Sequence, residues 1–544
     1  MDVDNAGGGA AGAQNGQDMS KRQGLISVND LTYVLEPDLS VAVNKTHKKH
    51  FFQNATYNHQ QRAICILNSG ADYIDTTRSY LSFELDVKNM GANQGVLFGT
   101  HGSVLNVIDN ITISTRSGDE LCRLTEFGLF QNMILPISYD RDWFRTHGDL
   151  MGFGQGVFET KAAHNPNDLD ETAVDPKFSK PRYVIPMYVL APIFGYGRLM
   201  PAMLMSGLRI EIGWTAPSKA FMCVLEEGAV EDVVYKSTVV APVVGNAGTF
   251  TYTDVGGNFD YDIKEPYFSL ASVQLSDSIQ RALNEQSATN GLEIVYCDYE
   301  KTDVVTGGNQ KKFHVEVRKS CSRALKAFAR IRQANTQHVP QRFTDSFKSE
   351  FLCPIVNYQW QLGSLYFPQQ PVKNDSFVST MREAYMHLLE SVDKWKGKSP
   401  LLTFNGSNDV TDFVNDSRSG GRVIGRGKQH LGHTDMRYRS HSDVVVFARP
   451  GGYVYDQHVI GVTLERSTMF NLAGVPVNNS RVLALHAELG GPDYPFQKAC
   501  SAAQNDAGNV LADITNNTST RQLSIYLKYV KLARVFLNNV EVEQ

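Results

Sequence analysis

The chain has 544 residues, 42% of them hydrophobic and 10% aromatic, with 52 basic and 57 acidic side chains for a net charge of −5. That length is beyond the size at which a single core keeps growing, so two or more domains are expected. A charge so nearly balanced gives no overall field to draw nucleic acid. The seven cysteines are an odd set without one Cys-x-x-Cys pair, which speaks against both a disulfide framework and a thiolate zinc site.

Residues 1–25 are mainly Gly, Ala, Gln and Asn with almost no bulky apolar side chain. Such a segment cannot offset its ordering entropy and is expected to be a mobile arm. It has neither the basic start nor the apolar stretch of a secretory signal. No later run is long and apolar enough for a membrane helix, so the expectation is a soluble protein made in a reducing compartment.

Short strand patterns follow. Ala63–Leu67 is one, and in Tyr80–Val87 the residues Leu81, Phe83, Leu85 and Val87 alternate with Ser82, Glu84 and Asp86. Leu105–Ser114 and Glu120–Leu124 read as a hairpin across the turn-forming run Ser117-Gly118-Asp119. Leu124, Phe127, Leu129, Phe130, Met133 and Ile134 then form an apolar patch whose spacing fits a helix. Tyr183–Leu190 reads as a buried strand. After the connection around Gly195 and Gly197, Leu208, Ile210 and Ile212 alternate with Arg209 and Glu211 as in a half-buried strand. Thr215–Asp262 shows no single pattern, although Val233–Val244 is β-prone. Tyr267–Leu275 gives a last strand, Ser276-Asp277 caps a helix through Leu283 and Gln286, and Asn290-Gly291 ends it.

The second half repeats this plan. Leu292–Tyr299 and Phe313–Val317 are strand-like, Pro354–Leu362 and Leu365–Phe367 pair around Gly363, and Phe377–Trp395 carries a helical stripe of Met381, Ala384, Tyr385, Leu388 and Leu389. Val444–Ala448, Val459–Leu464 and Val482–Leu489 precede closing strands within Leu523–Val542. Asn110-Ile111 and Asn357-Tyr358 each open a strand, turn, strand and helix unit. Tyr267–Leu275 and Tyr529–Leu537 each end a half. A diverged duplication into two domains of about 250 residues accounts for both matches.

Residues that carry chemistry are few. Gly425-Arg426-Gly427-Lys428 lacks the upstream glycine and the following Ser or Thr of a phosphate loop, having Arg422 and Gln429 there. His47/His50 and His430/His433 are His-x-x-His pairs in polar stretches read as loops, with none of the flanking ligands of a known metal site. Ser391-Val392-Asp393-Lys394 fits Ser-x-x-Lys by letters alone. Basic clusters at Lys311–Arg332 and Arg418–Arg449 suit either non-specific phosphate contact or ordinary solvated and paired charges. No catalytic, cofactor-binding or metal-ligating residue is assigned, and no cofactor is expected.

Several longer runs carry a family resemblance. The order in YVIPMYVLAPIFGYGRLMPAMLMSGLRIEIGW (183–214) resembles part of the first jelly roll of double-jelly-roll major capsid proteins. These occur in virophages, polinton-like viruses and nucleocytoplasmic large DNA viruses. YQWQLGSLYFPQQPV (358–372), GVTLERSTMFNLAGVPVNNSRVLAL (461–485) and LSIYLKYVKLARVFLNNVEVE (523–543) resemble the second. The resemblance implies an all-β chain of two consecutive eight-stranded jelly rolls with short helices and long loops. Its parts would be a flexible arm at 1–25, an N-terminal jelly roll at 26–285 and a C-terminal one at 286–544. It further implies a non-enzymatic capsid protein of a double-stranded DNA virus, forming pseudo-hexameric homotrimers that tile an icosahedral shell. Neighbouring capsomers, penton and minor capsid proteins would be its partners, with room for non-specific contact with the packaged genome. Its place would be the virion, after synthesis and assembly inside the host cell. The competing reading is a β-sandwich carbohydrate-binding protein or glycosidase, which needs exposed aromatics. The four tryptophans (143, 214, 360, 395) instead lie mostly in or beside expected core segments.

Overall fold

Residues 42–88, 94–98, 103–140, 143–148, 150–152, 158–159, 181–195, 197–227, 234–237, 260–306, 310, 312–333, 355–373, 381–392, 459–465, 474–489, 521–536 and 539–543 are described by a computed structural model. The arm expected at 1–25, the strand at Val444–Ala448 and most of the long connections fall outside them.

In chain order the first half contributes β1 (Ala42–Phe51), β2 (Thr56–Asn58), β3 (Arg62–Ile66), β4 (Tyr73–Lys88), β5 (Gln94–Phe98), β6 (Ile108–Ser114), β7 (Glu120–Thr125) and helix α1 (Phe127–Ser138). Then come β8 (Phe158–Glu159), β9 (Arg182–Pro186), β10 (Arg209–Trp214), β11 (Phe221–Glu227), β12 (Val234–Ser237) and β13 (Asp260–Leu275). One sheet runs β1-β13-β4-β9, with β2 also on β13, and a second runs β3-β10-β6-β7. All pairings are antiparallel. Alternation places Leu81, Phe83 and Leu85 of β4 inside, facing Ile111 and Ile113 of β6 and Ile210 and Ile212 of β10 across one apolar core.

Helix α2 (Asp277–Thr289) links the halves. Ser276 stands at its N-cap in extended conformation, and Asn290 and Gly291 end it, Gly291 at φ +74° where a side chain would be strained. The second half contributes β14 (Leu292–Thr306), β15 (Lys312–Val317), β16 (Cys321–Gln333), β17 (Ile355–Leu362), β18 (Leu365–Lys373) and helix α3 (Met381–Ser391). It ends with β19 (Val459–Thr463), β20 (Val475–Val477), β21 (Leu483–Leu489), β22 (Arg521–Val535) and β23 (Val540–Glu543). Its sheets run β14-β22-β16-β19 and β15-β21-β17-β18, with β20 on β16 and β23 on β22. Trp360, Tyr358, Leu485 and Ile525 lie in the core between them.

The two halves share one topology. Counting only the eight principal strands of each, one sheet is ordered first, eighth, third, sixth and the other second, seventh, fourth, fifth, in both halves alike. The helix after the fifth strand also recurs, as α1 and α3. A fifth sheet, β12-β11-β5-β8, belongs to the first half alone. Its strands come from three connections, third to fourth, fifth to sixth and seventh to eighth, which gather at one end of the sandwich.

Some expectations shift. The run Tyr183–Leu190 is a strand only to Pro186; Met187–Leu190 makes one helical turn with Met187, Val189 and Leu190 buried. A short apolar run reads alike in both states, and Pro186 removes the donor that would extend the ladder. The strand expected at Leu105–Ser114 starts only at Ile108, and Val104–Val107 is a 3-10 turn in which Ser103 accepts from the Leu105 amide through its hydroxyl. The closing strand of the first half starts at Asp260 rather than Tyr267. The Phe377–Trp395 helix is described from Met381 to Ser391, with Ala384 and Leu388 buried.

Candidate functional site

Among the described residues, the sites weighed from sequence stand apart from one another. His47 and His50 lie on strand β1, not on a loop, and residues three apart on a strand face opposite ways. His47 Nδ1 is 3.5 Å from Ser269 Oγ, while His50 is held below its ordinary imidazole value by burial and by Lys48. Ser391 ends α3 and donates 2.6 Å to the Leu388 carbonyl, buried against Gly461, so its hydroxyl serves the fold. His430/His433, Gly425–Lys428 and the cluster Arg418–Arg449 lie outside the described residues. The cluster Lys311–Arg332 is divided between β15 and β16, which belong to different sheets, and the link between them. Lys326 and Arg330 are buried, Lys319 pairs with Glu300 at 3.0 Å, and Lys312 reaches Glu488 at 3.9 Å. Trp214 and Trp360 are buried core residues. Among the described residues, no group of three or more His, Cys, Asp or Glu could hold a metal ion.

The region built with most precision is the junction between the halves. Strands β14 and β22 pair from Leu292↔Val535 to Thr306↔Arg521, far longer than the common five or six residues. Their length lets them serve two cores. At one end Leu523, Ile525, Leu527 and Tyr529 close the second core. At the other end Ile294, Tyr296, Ala533 and Val535 join the apolar cluster of the first half. The Phe130 ring of α1 sits edge-on to Tyr299 at 4.7 Å and tilted to Tyr526 at 5.1 Å, an arrangement aromatic rings favour.

Polar groups buried at this junction are all engaged. The Lys531 ammonium donates to Asp298 Oδ2 at 2.7 Å and to the Leu121 carbonyl of β7 at 3.1 Å. Tyr296 donates its hydroxyl to that same carbonyl at 2.7 Å. Through its other oxygen, Oδ1, Asp298 accepts from the Tyr299 amide at 2.9 Å and from the Cys122 thiol at 3.4 Å. Burial raises the Asp298 carboxyl above its ordinary value, with Lys531 opposing. Burial and the Asp298 charge push the Cys122 thiol well up. Nearby, Lys301 of β14 pairs with Glu126 at the start of α1 and with Asp303 at 2.5 Å. A buried pair of this kind adds little net energy over apolar packing, but losing one partner is costly. It fixes how the halves sit. Its chemistry is that of a lock, with the thiol and the amine sealed from solvent.

Sequence reasoning had no means of finding this junction, because Leu121, Asp298 and Lys531 lie in three distant strands. No protein-family model matches the chain, and no curated protein matches it. Solved structures do. A chain of the PBCV-1 virus capsid, from its quasi-atomic model, aligns over 94% of this chain and all of that one, with a TM-score of 0.50 at 9% identity. This is a double jelly roll. The Sputnik virophage structure at 3.5 Å aligns over 95% of this chain and 93% of its own, with a TM-score of 0.47 at 9% identity. The crystal structure of the mavirus major capsid protein aligns over 100% and 96%, with a TM-score of 0.46 at 12% identity. Within the double jelly roll, the Asp298–Lys531 pair marks where the first roll meets the long edge pair of the second.

Proposed function

We propose that this chain is the major capsid protein of an icosahedral double-stranded DNA virus, assembling as trimeric, pseudo-hexagonal capsomers. The observation that carries the reading is the identical strand order of the two rolls, held in one unit by the β14–β22 junction. Two similar lobes per chain give six lobes in a closed ring of three, and a near-hexagon tiles a flat facet with one gene product. The shared fold with the PBCV-1 capsid chain supports the same reading. The mechanism is then geometric and calls for no catalytic group. In this account residues 26–285 and 286–544 are the two rolls, and residues 1–25 form an arm that orders against neighbours. Partners are other copies of the trimer, penton and minor capsid proteins, and the packaged genome through non-specific contacts. The place of action is the virion, after assembly inside the host cell.

Electron microscopy of the purified protein tests this directly. Hexagonal particles of uniform size, and sheets or shells at higher concentration, are expected. Featureless monomers that never associate would contradict it.

A further inference from the structure

His314 on β15 and His486 on β21 are directly opposed in the antiparallel register. They stand on the face of the β15-β21-β17-β18 sheet opposite the core, because Phe313, Val315 and Leu485 alternate with them and point inward. Their Nδ1 atoms are 3.3 Å apart.

The neighbours decide which nitrogens carry protons. Gln361 of β17 donates its amide nitrogen to the Gly363 carbonyl at 2.8 Å, which turns its oxygen toward His486. That oxygen lies 2.7 Å from His486 Nε2. An amide oxygen only accepts, so the neutral His486 ring keeps its proton on Nε2 and presents a lone pair at Nδ1. His314 Nε2 lies 3.6 Å from the Glu316 carboxylate, and across the 3.3 Å contact His314 Nδ1 shares its proton with the His486 Nδ1 lone pair. Once that single proton is displaced, two Nδ1 lone pairs stand side by side, and a cation is what such a pair attracts. In a tetrahedral site with metal–nitrogen bonds of 2.0–2.1 Å, two imidazole nitrogens stand about 3.3 Å apart. The observed separation already matches that bite.

We propose that His314 and His486 form a two-imidazole site for a divalent transition cation of the zinc and copper type, held through both Nδ1 atoms with water completing the shell. The Gln361 amide and the Glu316 carboxylate serve as the outer partners that set tautomer and ring orientation. The site departs from the sequence expectation that no residue ligates a metal. The two histidines lie on separate strands far apart in the chain, so no spacing motif announces them.

The test uses the full chain, stripped with chelator and titrated with Cu²⁺ while electron paramagnetic resonance is recorded. The first equivalent is expected to show coupling to two imidazole nitrogens. His314→Ala and His486→Ala should each remove that pattern and weaken uptake of the first equivalent about tenfold or more. Gln361→Glu should tighten it by about tenfold, since an outer carboxylate raises ligand basicity. Both alanine variants change a solvent-side position, and an unchanged melting temperature confirms that they fold. If the wild type takes up no first equivalent, or the two-nitrogen pattern survives in both alanine variants, the site is overturned and the pair is bridged by a proton alone. The Gln361→Glu titration reads the same site without deleting a ligand, so a misfolded alanine variant does not leave the question open.

Discussion

The Lys531 ammonium lies 2.7 Å from the Asp298 carboxylate, with both side chains almost wholly withdrawn from water. Lys531 also binds the Leu121 carbonyl, so the pair belongs to both rolls at once. Removing one partner strands a buried charge. Lys531→Met is expected to destabilise the chain by about 3–5 kcal/mol. The double change Asp298→Leu with Lys531→Met should recover a large part of that loss, because no charge is then left unpaired. Denaturant titration of the three proteins checks it; equal losses in the single and double variants would show that the pair does not act as a unit.

Gly128, in the first turn of α1, is a second structural demand. A Cβ there would lie 2.7 Å from the Leu105 carbonyl oxygen and 2.8 Å from Asn106 Cα, and backbone atoms cannot swing aside. Gly128→Ala should therefore lower stability by about 1–3 kcal/mol despite the better helix propensity of alanine. At Gly195 a Cβ would meet nothing within 4 Å, so Gly195→Ala is expected to be close to neutral. Differential scanning calorimetry of both variants provides the comparison.

Thiol reactivity reports on whether the junction opens. Burial pushes the Cys65 thiol up to about 12, and burial together with the Asp298 charge pushes the Cys122 thiol well up. Only the thiolate reacts, so at pH 8 neither residue should be alkylated by iodoacetamide in the native protein, while both should be after unfolding. Peptide mapping by mass spectrometry reads this site by site. Native labelling of Cys122 would mean that the two rolls separate on the labelling timescale.

Much of this architecture is legible in the chain itself, because alternation and turn chemistry act locally. The β6–β7 hairpin turns at Gly118 with φ +98°, where the Ser117-Gly118-Asp119 run predicts it, and Asp119 Oδ2 accepts from Ser117 Oγ at 2.5 Å. Helix α2 starts after Ser276 and stops at Asn290-Gly291, the positions the sequence marks, although the Ser276 hydroxyl makes no cap hydrogen bond. The matched strand, turn, strand and helix units beginning near Asn110 and Asn357 are equivalent elements of the two rolls. What sequence could not supply is long-range placement. Ser82 and Asp86 alternate outward on β4 by pattern, yet both are buried, and Asp86 pairs with Lys264 of β13. The Asp298–Lys531 lock and the His314–His486 pair each depend on strand partners 233 and 172 residues away, for which local periodicity holds no signal. The three-residue strand β20 is shorter than any pattern can mark.

The central claim is that two like rolls in one chain exist to close a threefold ring. Size exclusion coupled to light scattering, at micromolar protein and after serial dilution, measures it most directly. The account predicts a mass of three 60.5 kDa chains that persists on dilution, as an obligate interface above about 2,000 Å² would enforce. A well-folded particle with the mass of one 60.5 kDa chain under the same conditions would contradict it.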